Sequence, residues 1–159
     1  MKSFKELFVE VFDETYPFKF IKKKIDPGSK AIRYNYEFED DDNRKIYVSA
    51  KVYFNKNEEK ELEINFYVRD RKGMIQYTKT DNSSNPYKVF GTILEIVKEV
   101  AKKEKVDTIY FAADADEPSR VKLYDRLSKF LSKKFHLNLK KEIKDYSGIK
   151  SVNYYLSSF

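Results

Sequence analysis

A chain of 159 residues holds about one domain with a single core, and 41% hydrophobic residues, including 13 Phe and 13 Tyr, make that core aromatic despite 36% charged residues. The lack of cysteine excludes disulfides, thiolate nucleophiles and Cys-ligated zinc or iron–sulfur centres, and a single histidine, His136, excludes a His-rich metal site within one chain. The excess of 32 Lys+Arg over 26 Asp+Glu, +6 in all, suits attraction to a polyanion or plain solubility, and the scatter of lysines favours solubility.

Ser3 and Glu6 form a capping-box pattern, and Phe4, Leu7, Phe8, Val11 and Phe12 recur at helical spacing, which predicts an amphipathic helix over about residues 4–14. Acids run through this stretch, unlike a signal peptide, and no window approaches the roughly 18–20 apolar residues of a membrane span, so a cytoplasmic protein without membrane contact is expected. Ile32, Tyr34, Tyr36 and Phe38 then alternate with polar residues, as do Ile46, Val48, Ala50, Val52 and Phe54, and then Leu62, Ile64, Phe66 and Val68. The short links EDDDNR and NKNEEKE read as hairpin turns, so these segments form an antiparallel meander packed on one face. Residues 70–85 form a long polar stretch in which only MIQYT can add a short strand, and long ordered loops tend to be functional.

Pro86 sits near a helix start, and Val89, Phe90, Ile93, Val97, Val100 and Ala101 trace its apolar face. VDTIYFAA is a near-continuous apolar run, which predicts a strand covered on both faces. A third helix begins at Pro118 and buries Val121, Leu123, Tyr124, Leu127, Phe130 and Leu131, and the tail reads as two strands around a turn at YSG. The order is helix, three antiparallel strands, helix, strand, helix, two strands. It predicts a single α+β domain over residues 1–159, with helices flanking a mixed, mostly antiparallel sheet.

Several clusters carry two readings. DADE, Asp114 to Glu117, offers oxygen ligands or a general base, or simply caps the helix that follows. Lys122, Arg126, Lys129, Lys133 and Lys134 align along one helix and suit phosphate contacts, or form a solvated face. Tyr77 and Tyr87 offer stacking surfaces without any nucleic-acid-binding motif beside them. His136 follows the third helix as a surface or C-capping residue. EDDDN lacks the glycine and twelfth-position acid of an EF-hand and reads as a turn.

From Glu61 to Phe135, a meander strand, a loop, a helix, a buried strand and a helix carrying KLYDRL resemble the central portion of a GNAT-type N-acetyltransferase domain. SRVKLYDRL is similar to divergent GNAT-like proteins encoded by bacteriophages. The resemblance implies acetyl-CoA as cofactor, its pyrophosphate held by backbone N–H groups at PYKVFGT, with Val89, Phe90, Gly91 and Thr92 as the cradle; Val89 stands where the family has its first glycine. It also implies that Tyr124 protonates the departing thiolate, that Arg120 contacts a phosphate, and that Asp114 or Asp116 is the base. Tyr124 also lies at core spacing with Val121, Leu127 and Leu131, which is the competing reading of that residue. The first functional expectation is direct transfer of acetyl from acetyl-CoA to an amine of a protein or small-molecule acceptor. The second is a catalytically degenerate binding protein of the same fold, with a host-protein or nucleic-acid partner.

Overall fold

The computed structural model describes residues 14–69, 75–76, 86–134 and 136–157. The helix expected over residues 4–14 and most of the loop over residues 70–85 lie outside them. A four-strand antiparallel meander comes first: β1 (Phe18–Ile25), β2 (Ile32–Glu39), β3 (Lys45–Phe54) and β4 (Lys60–Arg69), with β5 (Ile75–Gln76) paired to β4. Then follow α1 (Pro86–Glu104), β6 (Thr108–Asp114), α2 (Pro118–Lys134), β7 (Asn138–Tyr146) and β8 (Ile149–Ser157). The strands join in one sheet of order β1-β2-β3-β4-β6-β8-β7, antiparallel except where β4 meets β6.

The period-2 patterns place the expected strands well, because each had one face to bury. Tyr34, Tyr36 and Phe38 line up across the register with Ala50, Val48 and Ile46, and these with Ile64, Phe66 and Val68. Both helices pack on this one apolar face, so among the described residues they cover one side of the sheet and do not flank it. β1 was not expected. Its sequence, FKFIKKKI, is mostly exposed at the sheet edge, so no burial pattern marks it.

Turns follow from local chemistry. At the β2–β3 hairpin the buried Asp40 carboxylate accepts N–H groups of Asp42 and Arg44, each at 2.9 Å, and the Arg44 Nε–H at 3.0 Å. EDDDN is thus a turn, as its sequence implies. At YSG, Ser147 and Gly148 both take positive φ, the pairing that a two-residue hairpin of matching twist requires. His136, also at positive φ and exposed, follows the end of α2, where Leu137 N–H reaches the Ser132 carbonyl at 2.9 Å.

Phenols on the packed face tie α1 to β2: Tyr36 donates to Glu99 at 2.7 Å, and Tyr34 donates to Glu104. Burial, then the Glu104 carboxylate, pushes the Tyr34 phenol up to about 12, and burial, then the neighbouring Tyr155, pushes Tyr110 up to about 12. The folded state therefore holds these protons more tightly than the unfolded chain, whose tyrosines ionise near 10. This contribution is full below about pH 10 and is lost as pH rises toward 12. Alkaline unfolding should set in above about pH 10, with ultraviolet titration of these tyrosines coinciding with loss of helical circular dichroism. Separate transitions would contradict it.

Candidate functional site

Three parallel register pairs join β4 to β6: Glu61 with Thr108, Leu62 with Ile109 and Glu63 with Tyr110. Beyond them the strands do not pair, and the sheet opens as a wedge between residues 64–69 and 111–114. A polar or ligand-filled crevice is the general expectation for such a gap in an α/β sheet. Here side chains fill it.

Phe66 of β4, Phe111 of β6, Phe90 of α1 and Tyr124 of α2 meet edge to face. Tyr124 lies 5.3 Å from Phe111, 5.9 Å from Phe90 and 6.0 Å from Phe66, centroid to centroid. Phe66 and Phe90 stand 5.5 Å apart at 89°. Tyr154 of β8 stacks on Phe111 at 5.1 Å and donates to Asp125 at 2.7 Å, which extends the cluster to the far strands. Such pairs are favourable because ring edges carry positive charge and faces negative charge. A void of about 20 Å³ remains among these rings, room for about one water.

Arg120 closes the helix side. Its guanidinium lies 5.1 Å above the Phe66 ring and 6.0 Å from Tyr124, and its Nε is 3.5 Å from the Glu117 carboxylate. The residue is buried, and Glu117 and the ring faces balance its charge. Burial holds the Tyr124 phenol well above its ordinary value; Arg120 draws it back down, and Glu117 adds to the rise. At neutral pH this phenol is a protonated, desolvated group and a weaker acid than proton donation to a thiolate favours.

The structure brings Tyr124 and Arg120 together at the wedge, with Phe90 beside them. It does not bring Asp114 and Asp116 to them. Alternation along β6 turns Phe111 and Ala113 toward the helices and Asp114 toward solvent, where its carboxylate accepts the Asp116 N–H at 3.0 Å. The Glu117 carbonyl accepts the Val121 N–H, so DADE makes the turn that starts α2.

Residues 89–92, expected as the cradle, lie inside α1. α1 already starts at Pro86, so N–H groups from about Val89 onward are spent within the helix, and Pro86 has none. Val89, Phe90 and Thr92 are fully or almost fully buried, and the Thr92 hydroxyl donates to the Lys88 carbonyl at 2.8 Å while accepting the Tyr16 N–H at 2.8 Å. Gly91 is buried inside the helix as well. Among the described residues, aromatic side chains line the wedge and leave a void of about 20 Å³ between them. No group of three or more His, Asp or Glu among these residues is placed to hold a metal ion.

Sequence reasoning missed Phe66 and Phe111 as partners of Tyr124. The available signal was their position as aromatics on two neighbouring core strands. Together the elements define a mixed α+β domain whose one parallel strand junction is plugged by aromatic rings. No protein-family model matches the chain, and no curated protein does.

Proposed function

We propose that this chain is a GNAT-type fold whose cofactor groove is closed by its own side chains, and that it acts by binding a macromolecular partner. The succession of meander strand, helix, apolar strand and helix from β4 to α2 supports the fold reading. The observation that carries the function is the filled wedge: Phe66, Phe90, Phe111 and Tyr124 occupy the gap that a pantetheine-like arm would enter. Fold alone does not imply activity, so the site must decide.

The test is calorimetric titration with acetyl-CoA and CoA. No saturable heat is expected, even at ligand concentrations on the order of 1 mM, a range where a functional cofactor site would be filled. Micromolar binding, with turnover on an amine panel that Tyr124→Phe abolishes, would replace this reading by acetyl transfer.

A further inference from the structure

Among the described strands the sheet ends on one side at β1 and on the other at β7, and the two edges differ in charge. β1 carries four lysines and no acid. β7, NLKKEIKDY, interleaves three lysines with Glu142 and Asp145. Among the described residues β7 pairs with β8 alone, so along its outer edge alternate residues point backbone N–H and C=O groups away from the sheet. Such a row of donors and acceptors is a template for another strand.

The side chains of this edge are exposed as well. Ile143 is 68% exposed and Tyr146 56%, large apolar groups left at the rim of the sheet. Leu139, Lys141 and Ile143 stand opposite the buried Leu156, Tyr154 and Val152, so they and Asp145 lie on the face that carries the helices. Lys140, Glu142, Lys144 and Tyr146 share the other face. Within the chain Lys140 and Lys144 lie 2.8 and 3.8 Å from Glu142, and Lys141 lies 3.0 Å from Asp125.

We infer that β7 pairs antiparallel with β7 of a second copy of this chain, about a two-fold axis through Ile143, so that two sheets join into one. This register sets Ile143 against its own copy, Glu142 against Lys144, Lys141 against Asp145 and Lys140 against Tyr146. The members of each pair lie on the same face, as antiparallel neighbours must. Ile143 is then covered, the Lys140 stem lies along the Tyr146 ring, and both acids face a cation. A carboxylate has about four acceptor sites, so Glu142 keeps its own lysines while meeting another across the axis. Neighbouring registers lack this match. Centred on Glu142, the pairing opposes Glu142 to itself and Lys140 to Lys144; centred on Lys144, it opposes that lysine to itself. Seven residues per strand is about a third of what a standard interface uses, so the dimer is weak, with a Kd on the order of 100 µM. Self-pairing does not depend on the closed groove, and it gives a macromolecular partner two copies to engage.

The test is sedimentation equilibrium from about 10 µM to about 1 mM. The mass should rise from that of one chain toward that of two and stop there, because a two-fold contact closes on itself. Glu142→Lys alone, or Lys144→Glu alone, sets two like-charged pairs across the axis and should weaken the dimer roughly tenfold or more. An equimolar mixture of the two variants should restore it, since each copy offers the charge that the other now needs, and so should the double variant Glu142→Lys/Lys144→Glu. Ile143→Asp, at an exposed position, should remain a monomer, and circular dichroism checks that each variant is folded. A mass of one chain up to about 1 mM, growth beyond two chains, or single variants that stay apart when mixed overturns the inference. None of these outcomes bears on the closed groove, which the titration with acetyl-CoA tests separately.

Discussion

Tyr124→Ala should lower stability by about 3–5 kcal/mol, the range for removing a large buried aromatic ring. For a domain of this size that is a drop of roughly 6–20 °C in Tm. The ring touches Phe66, Phe90, Phe111 and Tyr154 at once, so its loss strips contacts from β4, β6, β8 and α1. Tyr124→Phe should cost under about 1 kcal/mol, because the ring contacts survive. Thermal denaturation of the two variants separates packing from chemistry: a folded, equally stable Tyr124→Phe protein that had lost a cofactor-dependent activity would assign the hydroxyl a chemical role. A Tyr124→Ala protein as stable as the parent would show that the wedge is not a packed core.

Asp40→Ala is the second large effect, at about 3–5 kcal/mol, the cost of breaking a buried charge pair. One carboxylate oxygen closes the β2–β3 turn through two backbone N–H groups while the other holds the Arg44 Nε. Removing both leaves turn donors without their acceptor and breaks the 3.0 Å ion pair to the Arg44 Nε. Asp40→Asn keeps the first oxygen and turns an amide toward Arg44, so about 1–3 kcal/mol is expected. Urea unfolding of both variants gives the ordering, and an Asp40→Asn protein less stable than Asp40→Ala would refute the assignment of Oδ1 to the turn.

Where a segment had one side to bury, its position was readable. β2, β3 and β4 alternate because water and core lie on opposite faces, and α1 and α2 repeat at helical spacing for the same reason. Asp40 belongs here too, since a turn beside alternating strands is a local event. β1 escaped detection because only Phe18 packs against the core and most of its other residues are exposed lysines; lysines guard strand edges against unwanted pairing and erase the periodic signal.

The candidate site divides along the same line. Tyr124 on an apolar helix face and Gly91 in a helix were visible as residue types, yet their roles were not, since a tyrosine at core spacing has the same pattern whether it packs or reacts. That choice depends on Phe66 and Phe111, which are remote in sequence and meet Tyr124 only because β4 and β6 are neighbours that part after Glu63 and Tyr110. The edge at β7 has the same origin. Its order of charges is written in the chain, but only the place of β8 between β6 and β7 leaves β7 outermost among the described strands. Periodicity is a property of consecutive residues and survives in the sequence; the filling of a wedge and the place of a strand in its sheet depend on distances between distant segments, which packing alone sets.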